Sequence, residues 1–380
     1  MNGPLEMARV ETDPLASFDL DTLLEGAARL RADRVGLRDS LESIAFGEAD
    51  RRARALAAFF GELGLVPGET ILLAAGAPAT AFIALIAGLR AGVHVALAPA
   101  GADEASAARM ALLSGASAIV VASGGVEAAP VLDWLPAAAA TPSVRLVCCL
   151  GVEKIDGMVV VDPAALDASG PRNAACHASS AQIVTFENGV KPIAHRQRTI
   201  VAAALDVVAR ARIAMRLPLI STIQPASFAG LAAGPVASLI AGAPLHWHVP
   251  FDARRFLAML DQTAPAHLFV PAAMAMMLQR AGLLSCAKLA SLLLLSRQAT
   301  SDQGEAPPDG LSIGHDAPPI IDLYAVGERA AVPEMRTREG IVRLANDPHY
   351  LDLEGSRLLA VGWSSEGERT RLHGAAVSEV

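Results

Sequence analysis

The chain has 380 residues, 53% apolar and 18% charged, a composition that excludes a disordered protein and leaves room for two to three sub-domains. Its apolar residues are mostly Ala, Leu and Val with only 4% aromatics, which suits an Ala-rich α/β protein better than an aromatic-rich β-sandwich. A net charge of −8 argues against a nucleic-acid binder, which carries a basic face.

In chain order, DTLLEGAARLRAD predicts a helix over 21–33, SIAF a short strand over 43–46, and an amphipathic helix follows over 48–63. LGLVPGE at 63–69 reads as a turn, with Pro67 and Gly68 where turn chemistry favours them. ILLAA (71–75) predicts a buried strand, 79–91 an apolar helix ending at Gly92, and VHVALAP (93–99) another strand. EASAARMALLSG then gives a helix and ASAIVVAS (116–123) a strand; 124–180 is a weaker-patterned connector. In the second half, strands are expected at 217–223, 245–249, 267–270 and 292–296, with helices at about 196–212, 228–241, 252–262 and 271–282. Residues 300–318 are rich in Gly, Pro and Asp and read as a surface loop. Strands alternating with helices at this spacing imply βαβ units and mostly parallel sheets, so the fold class is α/β.

The N-terminus is acidic and has no basic segment followed by an apolar run, so no signal peptide is read there. Cys148, Cys149, Cys176 and Cys286 show no CxxC or Cys/His ligand spacing; reduced, buried thiols are expected, which fits a cytoplasmic location. Two uncharged windows, 71–89 and 217–251, reach membrane-spanning length. The GAP at 76–78 interrupts the first and Pro218, Pro225, Pro235 and Pro244 the second, so both read as strand, turn and helix rather than a span.

Four stretches then share one order. Leu63-Gly64-Leu65-Val66-Pro67-Gly68-Glu69 precedes ILLAA and Leu89 through Pro99; residues 228–278 run FAGLAAGPVASLIAGAPLHWHVPFDARRF to VPAAMAMML; and Asp322-Leu323-Tyr324-Ala325-Val326-Gly327-Glu328 follows. Together they resemble the adenylate-forming enzymes: acyl-CoA synthetases, aryl-acid ligases, luciferases and peptide-synthetase adenylation domains. Family members show L-G-V-x-P-G-D, L-A-x-x-x-A-G-A-x-x-V-P-L-x-P, G-L-x-x-x-x-x-x-L-x-x-G-A before F-D-x-x-x-x-L, and Y-G-x-T-E. The likeness covers roughly residues 20–365. It implies two layered α/β sub-domains, 1–180 with its connector and 181–320, and a remnant of a third, β-rich sub-domain at 321–380. In the family a T-G-D aspartate and a small C-terminal lid domain with a catalytic Lys follow. GWSSEGERTRLHGAAVSEV (362–380) contains neither, so the large N-terminal domain without the lid is expected.

The family's phosphate loop is S/T-S-G-T-T-G-x-P-K-G, in which glycines admit phosphate, hydroxyls donate and Lys neutralises. The matching segment here is Thr185-Phe186-Glu187-Asn188-Gly189-Val190-Lys191-Pro192, then Ile193-Ala194-His195. It is shorter, keeps one hydroxyl and one glycine, and lacks Lys-Gly after Pro192. Glu187 puts a carboxylate where phosphate would sit, and two like charges about 4 Å apart repel by about 4 kcal/mol at an effective dielectric of ~20. An Mg²⁺ between them would reverse that sign. The residue before this Pro is variable in the family, so Lys191 need not face phosphate, and an ordinary strand-turn-helix is the favoured reading.

The resemblance assigns a degenerate ATP site to Thr185, Gly189, Lys191, Tyr324 and Glu328, the Tyr near adenine and the Glu on Mg²⁺. Gly327 replaces the family's Thr, and beside Arg329 the Glu328 side chain fits a surface ion pair equally. Where the family has an aromatic and then His before V-A-G, the chain has Ala226 and Ser227; Ser227, Phe228 and Gly230 are the expected substrate-pocket residues. No catalytic residue is assigned, and ATP and Mg²⁺ are expected only if the site works.

Other motifs are thin. His246 and His248 flank Trp247 on a strand, which puts both imidazoles on one face, but a third metal ligand is absent at convincing spacing. SGG at 123–125 lacks G-x-G-x-x-G, there is no G-x-S-x-G elbow, and Met274, Met276 and Met277 read as core or as an acyl-chain wall. The functional expectation is a protein of this family that does not turn over ATP, retaining at most a pocket for a carboxylic acid or acyl-CoA and acting on a partner such as an intact ligase or carrier protein. The alternatives are a working ligase with a rebuilt loop and a Lys supplied by another chain, or a scaffold subunit; no partner nucleic acid is expected.

Overall fold

A computed structural model describes residues 15, 18–99, 101–123, 134–151, 156–167, 180–189, 191–298, 311, 314–336, 348–353, 356–366 and 369–378. Two large sheets carry the fold. The first has seven strands in the order Val159–Val161, Leu146–Leu150, Ala118–Ala122, Thr70–Ala75, His94–Ala98, Gln182–Glu187 and Lys191–Arg196. All its pairings are parallel except the last, a hairpin. The second has eight, ordered Ala330–Met335, Ile320–Val326, Leu289–Gln298, Ala266–Pro271, Leu219–Ser221, Leu245–Trp247, Val35–Arg38 and Ser43–Ala45. It is parallel inside and antiparallel at its two edges. His349–Leu353, Ser356–Glu366 and Arg369–His373 make a separate antiparallel sheet. Strands 35–45 thus belong to the sheet formed mainly by the second half of the chain, and 182–196 to that formed mainly by the first.

Side chains on successive strand residues point to opposite faces, and both sheets use both faces. In Thr70–Ala75, Ile71 and Leu73 enter the central core while Leu72 and Ala74 pack under the helices Glu104–Ser114 and Trp134–Ala139. In Leu289–Gln298, Leu293 and Leu295 face the same central core, whereas Leu292 and Leu294 pack with Phe256, Leu260 and Leu278 from the helices Ala253–Thr263 and Ala275–Arg280. Helices therefore lie outside each sheet, and a shared helical layer lies between the sheets.

That middle layer contains Phe46–Glu62, Pro78–Arg90, Gln197–Ala211 and the run 228–241. Its small residues allow close approach, and the helix Pro78–Arg90 is buried at nearly every position. Arg90, 8% exposed, bonds Asp21 Oδ1 through Nε at 2.7 Å and Asp50 Oδ1 through Nη2 at 2.7 Å, joining three helices through one guanidinium. Asp19, Asp103, Ser227 and Asp252 cap their helices by accepting from backbone N–H groups.

The predicted strands and helices of 20–123 and 196–298 are present with ends moved by a few residues. The connector 124–180 contributes more order than expected, because Leu146–Leu150 and Val159–Val161 extend the first sheet. Strand-turn-helix at 185–212 is corrected to strand-turn-strand-helix: Lys191–Arg196 alternates between core and solvent and pairs back on Gln182–Glu187. Pro192, which lacks a ladder N–H, is accommodated because this is the edge strand. Cys148 and Cys149 are buried and outside any disulfide, but Cys286 is exposed in the turn before Leu289–Gln298, correcting the expectation that it is buried. Cys176, Gly124 and Gly125 of the SGG turn, and most of the loop 300–318, lie outside the described residues.

Candidate functional site

The segment in the place of the phosphate loop is a tight hairpin. Glu187 stands opposite Lys191, Thr185 opposite Ile193 and Ile183 opposite His195. Asn188 and Gly189 both adopt positive φ, 53° and 74°, and the Gly189 N–H donates to Phe186 O at 3.3 Å. The one glycine of the segment is therefore spent on turning the chain. Lys191 Nζ lies 3.3 Å from Glu187 Oε2, an exposed ammonium against a mostly buried carboxylate.

The hairpin tip packs on the turn after Ile320–Val326. A methyl group built on Gly327 would fall 2.3 Å from Glu187 Oε1, so the glycine leaves the space that the glutamate fills. Gly327 also has φ of 54°, a conformation unfavourable to a β-branched residue. The two departures from the family's motifs, Glu187 in the loop and Gly327 in place of Thr, meet at one contact.

Next to it, Glu328 turns inward. Its Oε2 accepts from the Phe228 N–H at 2.7 Å, and the Thr185 hydroxyl also hydrogen-bonds the carboxylate. Burial raises the Glu328 pKa; these hydrogen bonds and the Arg297 charge oppose that, and Glu187 adds to it. An ion pair with Arg329 is not formed; the buried Nε of Arg329 has no hydrogen-bond partner among the described residues.

Thr185 in turn lies 2.8 Å from His195 Nε2, and His195 Nδ1 lies 2.6 Å from Ser378 Oγ. Burial pushes the His195 pKa down to about 3, so the ring is neutral. A neutral imidazole carries one N–H, so one ring nitrogen donates and the other accepts between Thr185 and Ser378. The result is a buried polar chain from Ser378 through His195 and Thr185 to Glu328. His195 and Ser378 were not assigned roles from sequence; the signal was the alternation of Ile193 and His195 across the return strand.

Ser227 Oγ accepts from Gly230 N at 3.1 Å and caps the helical run 228–241. Gly230 sits so close to the preceding loop that a Cβ would be 2.4 Å from Gln224 O. Phe228 is 1% exposed, its ring centroid 5.0 Å from that of His195. Midway along this run residues Ala232–Val236 form a π-helical turn containing Pro235. Tyr324 is 1% exposed in the strand interior, its pKa raised to about 12 by burial and then by Asp322. Thr185, Glu328 and the Phe228 backbone are thus in direct contact, Gly189 and Lys191 stand at the hairpin tip, and Tyr324 is enclosed in the core beneath.

His246 and His248 lie at the end of another strand. His248 Nε2 is engaged by the backbone of Asp252, at 2.7 Å from its O and 3.1 Å from its N. Among the described residues no group of three or more His, Cys, Asp or Glu side chains could hold a metal ion, and no helix is long and apolar enough to cross a membrane. Met274 packs at the edge of the outer core, while Met277 is 43% exposed.

Two largely parallel sheets sharing a helical layer, with a hairpin closing over a helix N-terminus, have the architecture of the N-terminal domain of adenylate-forming ligases. A family model described as AMP-binding enzyme matches residues 24–332, and the chain belongs to that family. It is 33% identical over 124 residues to the salicyl-AMP ligase / salicyl-S-ArCP synthetase of Mycobacterium tuberculosis, a segment covering 31% of this chain and 21% of that protein's length. In fold it is similar to apo MbtA of Mycobacterium smegmatis (TM-score 0.67, 18% identity), covering 95% of this chain and 68% of that one. It is likewise similar to the anthranilate CoA ligase AuaEII in complex with anthranoyl-AMP (TM-score 0.69, 14% identity), covering 95% of this chain and 70% of that one.

Proposed function

We propose that this protein is an adenylate-forming-family member that does not turn over ATP and works instead by binding. Its ligand would be a small carboxylic acid or acyl-CoA, and its partner an intact ligase or a carrier protein. The observation that carries the reading is the seating of Glu187 against Gly327, which fills with a carboxylate the space a phosphate would need.

The neighbouring groups support it. ATP phosphates are held by backbone N–H groups, hydroxyls and a cation. Here the Thr185 hydroxyl serves Glu328, the Gly189 N–H closes the turn, and Lys191 pairs with Glu187. Glu328 accepts from the Phe228 N–H at the helix start, a position that would otherwise favour an incoming anion. On this reading the donors and the cation that would hold a nucleotide's phosphates are already engaged within the protein. An aryl acid is the first ligand class to try, because the relative from Mycobacterium tuberculosis is a salicyl-AMP ligase.

The test is carboxylate-dependent exchange of pyrophosphate into ATP with salicylate, benzoate, anthranilate and fatty acids. The expected result is no exchange above the acid-free blank. Robust exchange, abolished by Glu328→Ala, would overturn the reading in favour of a working ligase.

A further inference from the structure

A cleft of about 940 Å³ opens at the carboxyl ends of strands from both large sheets, apart from the hairpin and the Glu328 contacts. One wall is the segment 38–41 that follows Val35–Arg38, a second the turn 76–78 leading into Pro78–Arg90, and a third 246–252 with one side of Ala253–Thr263. Ligands of open α/β sheets bind outside the carboxyl ends of the strands, and small-molecule sites are of this size.

The polar groups in this cleft are unevenly satisfied. Its acids are engaged by backbone donors: Asp39 accepts from the N–H groups of Leu41, Glu42 and Ala79 at 2.9, 3.1 and 3.2 Å, and Asp252 from that of Arg255 at 2.7 Å. The groups on the opposite side of the balance are not. His246 is 8% exposed, yet its Nδ1 has no hydrogen-bond partner among the described residues. Arg38 is exposed and forms no side-chain hydrogen bond or ion pair among the described residues. A buried polar atom left without a partner costs about 1–3 kcal/mol, a cost a ligand would relieve.

Register puts these groups together. Arg38 and His246 are direct partners across two parallel strands, so both side chains stand on the same face of the sheet. Burial, and then the Arg38 charge, push the His246 pKa down to about 4, leaving a neutral ring that can donate through one nitrogen and accept through the other. The mouth is aromatic: Phe251 is 43% exposed, with its ring centroid 5.7 Å from His248 and 5.5 Å from Phe256.

We propose that this cleft is a second ligand site, separate from the hairpin, for a small aromatic anion whose charged group sits against Arg38 and His246 and whose ring packs at Phe251. The site goes beyond the functional reading above, since neither a closed nor a working nucleotide site requires it. Whether the anion is a carboxylate or a phosphate monoester is decided by the arms of the test.

The test uses the full chain labelled at histidine, with the His246 ring resonance assigned by its disappearance in H246Q. Benzoate, phenyl phosphate, inorganic phosphate and benzamide are titrated separately. At least one of the two aromatic anions is expected to shift the His246 resonance saturably. Arg38→Gln, an exposed replacement that keeps the fold, is expected to weaken that binding about tenfold or more, the loss of one charge-assisted hydrogen bond. Absence of a saturable His246 shift with both anions would overturn the proposal. So would unchanged affinity in R38Q, or equal binding of inorganic phosphate or benzamide. Failure here leaves the pyrophosphate-exchange result untouched, so the two readings fall separately.

Discussion

Replacing His349 by Gln tests how the small C-terminal sheet is tied to the body of the protein. His349 begins the strand His349–Leu353 and is 3% exposed. Its Nδ1 lies 3.1 Å from Asp206 Oδ2 on the helix Gln197–Ala211, and its Nε2 lies 3.0 Å from Glu334 Oε1 on Ala330–Met335. Asp206 is shared with Arg210, whose Nε is 3.0 Å from Oδ1. Burial alone would lower the His349 pKa; the hydrogen bonds to the two carboxylates outweigh it, Arg210 opposes them in part, and the net effect is a rise from 6.5 to about 9. At 1.36 kcal/mol per unit, that rise corresponds to about 3 kcal/mol of stability linked to the bound proton. Because the folded state holds the proton more tightly, this contribution is complete below pH 6.5 and is lost as the pH rises through about 9. The assay is urea unfolding of wild type and H349Q across that range. Their difference in unfolding free energy is expected to shrink by about 3 kcal/mol from pH 6 to above pH 9, with other titrations cancelling. A difference independent of pH would refute the idea that a protonated His349 holds the sheet in place.

Three further outcomes are expected. Gly230→Ala, which drives a methyl into Gln224 O, should destabilise by about 1–3 kcal/mol in urea unfolding, whereas Gly61→Ala, in a helix with nothing within 4 Å, should stabilise slightly. Arg336→Met strands Asp322, 0% exposed and bonded by Arg336 Nε at 2.8 Å, and should cost about 3–5 kcal/mol; the double variant with Asp322→Leu should recover most of it. Under native conditions iodoacetamide should label Cys286, while Cys148, buried and with its pKa pushed up to about 12, should react only on unfolding, as peptide mass spectrometry would show.

Much of the fold was legible because buried parallel strands are apolar runs and the helices between them keep a 3.6-residue period. ILLAA, VHVALAP and ASAIVVAS are such runs, and the chain folds them side by side into one sheet. What escaped was short or disguised. Val35–Arg38 has four residues, too few for a period, and its partner Leu245–Trp247 lies two hundred residues away. Lys191–Arg196 was hidden by Pro192 and by the arginines that follow His195, although its alternation is that of a half-buried edge strand. The candidate site was legible as a list of altered residues but not as an arrangement. That Glu187 and Gly327 meet, or that His195 links Thr185 to Ser378, depends on contacts between segments more than a hundred residues apart. No local pattern encodes them.

The proposed function requires the hairpin 182–196 to be closed to nucleotide. The most direct measurement is titration of the purified full chain with MgATP in a calorimeter, paired with hydrogen exchange of peptides covering 182–196 and 326–330. A closed hairpin gives no saturable heat at millimolar nucleotide and unchanged exchange in both segments. Saturable binding that slows exchange at Thr185–Gly189 and Gly327–Glu328, and is lost in Glu328→Ala, would contradict it.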